Sequence, residues 1–341
     1  MVATPRPASG PGRPSEAPLW AVTCFFNPAG YRRKLENYRV FRERLGVPLV
    51  AVEHAVDGRF ELGPGDADVL VQVPGGDVMW QKERLLNVGL RALPPACDAV
   101  AWIDCDVVFD DPDWGQRARA ALERVGLVHL FHERHNLPAD TPLEGLASWS
   151  APPTSVSAVH RLELGTASVD DLICNDAQLL LGSTVGLAWA ARRATLDAHG
   201  LYDASVIGGG DRVIVCAALG RFELAQRCQR LSDRHFAHYL GWAWPFHTAV
   251  GGVATISGRA FHLWHGDLRD RHYDDRFDLL AGFDPLADVA LDPGGSWRWS
   301  SAKPELHRAV RRYFAQRCED GAGEAALAAP DPVARAGEGA P

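Results

Sequence analysis

The sequence predicts an α/β protein built on a mostly parallel sheet, and three observations carry that prediction. Residues 19–26 are an apolar run of strand length, residues 31–45 carry Leu35, Tyr38, Phe41 and Leu45 at helical spacing, and residues 48–53 are apolar again. This is the βαβ order that opens a parallel sheet. Residues 99–103, Ala-Val-Ala-Trp-Ile, form a wholly apolar stretch long enough for one buried strand and too short for a helix. That stretch runs directly into Asp104-Cys105-Asp106. A buried strand thus delivers two carboxylates at its carboxyl end, where open α/β sheets bind ligands. Two carboxylates so close repel each other, and a divalent cation is the simplest relief.

The remaining elements follow in order. Asn27-Pro28-Ala29-Gly30 closes the first strand as a turn, and Gly46 stops the first helix as its C′ residue. Residues 68–73 read as a third strand before Gly75-Gly76. Residues 80–92 read as a helix with Leu85, Leu86 and Leu90 on its apolar side and Lys82, Arg84 and Asn87 off it. After the aspartate-bearing strand come a helix over 116–125 and a strand over 127–131. Residues 133–160 are rich in Pro, Ser and Thr without clear period, which predicts a functional loop or an excursion.

Residues 180–191 and 192–199 read as strand then helix, stopped by Gly200. Gly208-Gly209-Gly210-Asp211 then precedes an apolar helix over 213–219. Three consecutive glycines let the backbone approach a ligand closely. Asp211 falls at the helix N-terminus, where a carboxylate is favoured, so a simple cap explains it as well as chemistry does. Residues 232–258 hold His235, His238, Tyr239, Trp242, Trp244, Phe246 and His247, a cluster that either stacks on sugar rings or fills the core. Residues 259–265 read as a strand ending in His262-Leu263-Trp264-His265. Two histidines three apart bind one cation if the strand ends in a turn. Arg269, Arg271, His272, Tyr273 and Arg276 follow in a loop with cations enough to neutralise a diphosphate, and residues 304–318 read as a last helix with Leu306, Val310 and Phe314 inward.

Composition narrows the function classes. The chain has 341 residues, 47% apolar and 23% charged, the balance of an ordinary globular protein. Its net charge of −8 and lack of a Lys/Arg block argue against a nucleic-acid partner. Seven cysteines, an odd number with no Cys-x-x-Cys pair, predict reduced thiols, no structural zinc and a cytoplasmic setting. No run reaches the roughly 20 apolar residues of a transmembrane segment. The Pro-rich stretch 1–18 and the Ala/Gly/Pro/Glu-rich stretch 319–341 read as disordered tails around a domain at 19–318. Neither a Gly-x-Gly-x-x-Gly turn nor a P-loop is present, which disfavours dinucleotide dehydrogenases and P-loop kinases.

Several of these segments, taken together, resemble the β-1,4-galactosyltransferase family, GT-A-type enzymes that use UDP-sugars. Glu83-Arg84-Leu85-Leu86-Asn87-Val88-Gly89 followed by Asp104-Cys105-Asp106 is similar to that family's paired "AKLLNVG" and "DVD" motifs. Ile207-Gly208-Gly209-Gly210-Asp211 resembles its "WGGED" loop, His262-Leu263-Trp264-His265 its "MxxH", and Arg276-Phe277-Asp278 its "RFDR". Phe26-Asn27 before Arg32 and Arg33 is more distantly similar to its "FRNR" turn. The likeness spans about residues 20–280 as islands. The family's Trp and Glu in "WGGED" are Ile207 and Gly210 here, and its Met ligand is His262, a better ligand for Mn²⁺ or Zn²⁺.

The resemblance implies a GT-A nucleotide-sugar-binding fold, a mixed and mostly parallel sheet flanked by helices. It implies Mn²⁺ (or Mg²⁺) held by Asp106, His262 and His265, with Asp104 contacting the ribose or a metal-bound water. Asn27, Glu53, Arg84, Gly209 and Gly210 would line the pocket of the UDP-sugar donor. Asp211 would be the general base in an inverting hexosyl transfer to an acceptor hydroxyl on a glycan, natural product or protein. The same fold also carries sugar nucleotidyltransferases and sugar-phosphate hydrolases. Gly210 in place of an acid keeps open a different class, a catalytically silent nucleotide- or carbohydrate-binding protein.

Overall fold

The computed structural model describes residues 18–173, 182–273 and 275–321. Most of the two expected tails, and the start of the strand expected from residue 180, lie outside the described residues. The chain begins with β1 (Trp20–Phe26), α1 (Arg32–Arg44), β2 (Leu49–Ala55), β3 (Val69–Pro74), α2 (Lys82–Leu90) and β4 (Ala99–Ile103). Then come β5 (Val107–Phe109), α3 (Trp114–Leu122), β6 (Leu127–His129), β7 (Glu133–Asn136), β8 (Ser155–Ser157), α4 (Ala158–Glu163) and α5 (Val169–Ile173). β9 (Ser183–Thr184), β10 (Ala188–Arg192), α6 (Arg193–His199), α7 (Gly210–Ala218), α8 (Phe222–Gln229) and α9 (Asp233–Val250) follow. The last elements are β11 (Val253–Thr255), β12 (Arg259–His262), α10 (Pro285–Asp288), β13 (Val289–Leu291), β14 (Trp297–Trp299) and α11 (Pro304–Ala315).

A central seven-stranded sheet runs β11-β6-β10-β4-β1-β2-β3. β1, β2, β3 and β4 are mutually parallel, whereas β10 is antiparallel to both β4 and β6. The fold is therefore a mixed, mostly parallel sheet flanked by helices, as the sequence predicts. β4 sits at its middle, and every one of its residues is buried. Val100 and Trp102 face a core with Leu86 and Trp189, while Ala99, Ala101 and Ile103 face one with Tyr38, Phe41 and Trp114. Helices on both faces explain why the strand shows no polar alternation. Gly46, at φ 74°, follows α1 in the left-handed conformation that ends a helix.

The second sheet, β5-β12-β7-β8-β9, was not legible as such. The irregular stretch after Glu133 supplies β7 and β8, so it is an excursion with structure of its own. The aromatic segment 232–258 proves to be α9 and β11. Tyr239 and Phe246 are fully buried, the Tyr239 hydroxyl donates to Val213 O at 2.8 Å, and Trp242 Nε1 donates to His199 O at 3.0 Å. His235, Tyr239 and Phe246 are therefore core, Trp242 packs half-buried against them, and Trp244 is exposed. Cys228 is disulfide-bonded while Cys24, Cys97, Cys105, Cys216 and Cys318 are free, which corrects the expectation of reduced thiols throughout and weakens the cytoplasmic argument built on it. Among the described residues, no helix is long and apolar enough to cross a membrane.

Candidate active site

The site starts where the two sheets meet. After β4, Asp104 N donates to Leu187 O and Val107 N to Asp104 O, a tight turn that passes the chain into β5. β5 pairs antiparallel with β12 so that Val107 lies opposite His262, and Leu263 N donates to Asp106 O at 2.9 Å. This register sets Asp106 beside the end of β12. The strand stops there, and the turn 263–266 brings His265 back to the same point.

Asp106, His262 and His265 consequently offer three ligand atoms all within 4.8 Å of one another. His265 Nε2 lies 3.3 Å from Asp106 Oδ2 and 3.1 Å from His262 Nε2, and Asp106 Oδ1 is buried without a hydrogen-bond partner. Burial, reinforced by Arg134 and Arg271, pushes the His262 imidazole down to about 3. Burial and Arg271 push His265 down to about 4, against the opposing charges of Asp106 and Glu319. Both rings are neutral at pH 7, the form that ligates a metal. An orphaned carboxylate oxygen facing two neutral imidazoles fits a divalent transition metal.

Behind His265 stands a residue that the sequence reading gave to the C-terminal tail. Glu319 is 2% exposed, with Oε1 2.6 Å from Arg317 Nε and 3.8 Å from His265 Nδ1. Gly266 makes this possible, since a Cβ there would meet Cys318 O at 2.5 Å. Asp320 accepts the N–H groups of Arg32 and Arg33 at the start of α1, so residues 319–321 are packed rather than a tail. Burial would raise the Glu319 pKa, but Lys34, Arg317 and His265 hold it well below the usual carboxylate range. At His265 Nδ1 the nearer group is Arg271, whose Nη2 stands 2.7 Å away and can only donate, so Nδ1 accepts there, and Glu319 reaches the ring through Arg271, whose Nη1 it faces at 3.7 Å.

A second cluster faces the first. Lys82, only 9% exposed, places Nζ 2.6 Å from Asp104 Oδ1 and 2.8 Å from Asp211 Oδ2. Burial opposes its charge, but Asp104, Asp211 and Glu83 outweigh burial and hold its pKa well above the ordinary value. Asp104 is raised to about 6, by burial first and then by Asp211 and Asp106, with Lys82 opposing. Asp211 Oδ1 is buried and has no hydrogen-bond partner. Helical periodicity had put Lys82 off the buried side of its helix. The missing signal is that two aspartates brought together require a cation between them.

Both clusters line one cavity of about 790 Å³, together with Asn27, Gly209 and Gly210. Arg134, Arg271, Arg276 and Arg317 line it too, and the last three are buried. Asn27 Nδ2 donates to Tyr31 O and to Glu61 Oε1, so it fixes the turn after β1 at the cavity rim. Two expected pocket residues are not in the lining. The Glu53 carboxylate accepts the N–H groups of Glu61 and Leu62 and the amide of Gln72, a structural role. Arg84 pairs with Asp203 at 2.9 Å and lies over the Trp297 ring, away from the cavity. Helix geometry explains this, because residues 82 and 83 point to the site and residue 84 cannot.

Glu83 is the third residue missed. It is 2% exposed, and burial pushes its carboxyl up to about 8, with Asp211 and Asp104 adding and Lys82 opposing. A raised folded-state pKa favours the protonated protein. Its contribution to stability is full below about pH 4.5 and is lost as pH rises through about 8. Urea denaturation should therefore show wild type losing more stability between pH 5.5 and 8.5 than Glu83→Gln does, the difference being the Glu83 contribution.

No protein-family model and no curated protein matches this chain. Solved structures with a similar course of chain include the mannosyltransferase PcManGT from Pyrobaculum calidifontis in complex with GDP-Man and Mn²⁺. It has 14% identity, 89% of this chain and 73% of that one covered, and a TM-score of 0.39. Residues 1–349 of S. aureus TarS align at 8% identity over 88% and 71% of the chains, with a TM-score of 0.38. The catalytic domain of Drosophila β1,4-galactosyltransferase 7 in complex with xylobiose aligns at 10% identity over 86% and 99%, with a TM-score of 0.35. Likeness this distant assigns neither a family nor an activity.

Proposed function

We propose that this chain is a divalent-metal-dependent glycosyltransferase of GT-A type that moves a hexose from a UDP-sugar to an acceptor hydroxyl with inversion. The observation that carries the reading is one cavity lined by two differently equipped clusters. Asp106, His262 and His265 form a ligand set, and in the neighbouring cluster Asp211 offers an unpartnered carboxylate oxygen. Asp106 and the two imidazoles would hold Mn²⁺, which when bound supplies positive charge to the diphosphate leaving group. Arg134, Arg271 and Arg276 add guanidinium donors for the same diphosphate.

The chain's own part in the transfer is a proton. Asp211 Oδ1 takes it from the acceptor hydroxyl as that oxygen bonds to the anomeric carbon. The bond from that carbon to the phosphate oxygen breaks, and its electron pair leaves with UDP. Lys82 pairs with the other oxygen, Oδ2, at 2.8 Å and so holds the carboxylate in place. Arrival of the acceptor on the side opposite the diphosphate inverts the anomeric centre. A silent binding protein is the second reading, favoured by the same Lys82 contact, because it engages one of the two Asp211 oxygens in an ion pair.

Thermal and denaturant unfolding with UDP, with and without Mn²⁺, tests the reading. Wild type should gain about 2.7 kcal/mol at UDP concentrations 100-fold above Kd, only with the metal. Asp106→Ala should abolish that gain while remaining folded. UDP that leaves wild type unstabilised in the presence of Mn²⁺ would refute the donor assignment.

A further inference from the structure

Gly210 opens α7 with an ordinary helical backbone, so conformation alone does not call for glycine there. Space does. A Cβ at residue 210 would stand 2.0 Å from Glu83 Oε1 and 2.1 Å from its Cδ. The Glu83 carboxyl, delivered from α2, thus fills the volume that a side chain at 210 would take, one residue before Asp211. Its Oε1 is buried and has no hydrogen-bond partner, yet Glu83 belongs to the cavity lining. A buried carboxyl oxygen left unpaired is costly, and a ligand group that pairs with it removes the cost.

The chemistry of that group follows from the carboxyl. Burial keeps Glu83 protonated at neutral pH, with a pKa of about 8. A neutral carboxylic acid offers one donor and retains acceptor capacity. That complements a hydroxyl, which also does both. It suits a phosphate poorly, since phosphate oxygens only accept and already have the arginine side of the cavity.

We propose that Glu83 is a specificity-determining residue whose carboxyl, reaching through the space that Gly210 leaves, hydrogen-bonds a ring hydroxyl of the transferred sugar. The inference rests on the sugar-nucleotide reading of the cavity and names the group that distinguishes one hexose from another. Gly210 is its necessary counterpart, because any side chain there displaces the carboxyl.

Titration calorimetry at saturating Mn²⁺ with UDP, UDP-glucose, UDP-galactose and UDP-N-acetylglucosamine tests it. Glu83→Ala should weaken the preferred UDP-hexose about tenfold and flatten the preference among the three, leaving UDP affinity within about twofold. Glu83→Gln, which keeps a donor and an acceptor, should retain the preference. The double variant Glu83→Ala/Gly210→Glu, which returns a carboxyl to the same volume from the other backbone, should recover part of the lost affinity. A folded Glu83→Ala protein that binds all three hexose nucleotides as wild type does would overturn the inference alone. So would equal losses for UDP and the UDP-hexoses, which mark a structural role, and so would a wild type without preference among the hexoses. Wild type that fails to bind UDP at all would overturn the proposed function, and this inference with it.

Discussion

Lys82→Met is expected to cost about 3–5 kcal/mol of stability at pH 8, the scale for removing one partner of a buried ion pair. Lys82 bridges Asp104 and Asp211, and the substitution leaves those two carboxylates facing each other with no charge between them. Methionine preserves the length and the apolar stem, so the loss reports charge rather than packing. The pH dependence supplies the control. Asp104 already titrates at about 6 with Lys82 lowering it, so without Lys82 its folded-state pKa rises further. An acid whose folded pKa is raised favours folding below its unfolded value, near 3.8, and loses that contribution as pH rises through the folded value. The deficit should accordingly shrink near pH 4 and be complete at pH 8 in urea denaturation. A deficit equal at both pH values would mean that packing, not charge, holds Lys82 in place.

Asp211→Asn is expected to lower turnover of a UDP-hexose about 10²- to 10⁴-fold, the usual contribution of a positioned base. The amide fills the same space and still meets Lys82, but it has no lone pair basic enough to take the acceptor proton. Binding of UDP with Mn²⁺ should be unchanged, since Asp211 is not one of the three clustered ligand residues. The measurement is donor consumption, by transfer or by hydrolysis, alongside calorimetry of UDP. Turnover that survives in Asp211→Asn would place the base elsewhere. Wild type that binds UDP with Mn²⁺ but consumes no UDP-hexose would establish the silent binding protein instead.

The sequence was readable where structure is local. β1, α1 and β2 follow from apolar runs and from Gly46, and β4 follows from five apolar residues that end in aspartate. His262 and His265 face each other as their spacing suggested, because a strand end and a tight turn are both local features. Asp106 joins them through the distant pairing of β5 with β12 and is expected there only from the family resemblance. What stayed hidden is set by distant pairing. β7 and β8 are strands of four and three residues, and β7 acquires its identity by lying beside β12, more than a hundred residues away. Lys82 looked like a solvent-facing residue because periodicity counts charge as outside. Its burial is tolerated only because Asp104 and Asp211 arrive from two other elements. Glu319 sat in a composition that resembles a tail, and the signal for it lay at Gly266, whose bare backbone admits Cys318. Arg84 and Glu53 erred in the other direction, being polar residues near motif positions whose partners are structural.

The clasp between the two ends of the described chain has a consequence for how the molecule is made. Tyr31 donates its hydroxyl to the carbonyls of Phe314 and Ala315, Asp320 caps the first turn of α1, and Glu319 backs His265. During vectorial synthesis the sheet, both histidines and Asp106 emerge while this clasp does not yet exist. The nascent chain therefore passes through a stage in which Asp106, His262 and His265 have emerged and Arg317 and Glu319, which pack behind His265, have not. A ribosome stalled before codon 319 would display a chain whose first helix lacks Asp320 at its N-terminus and whose His265 lacks Glu319 behind it.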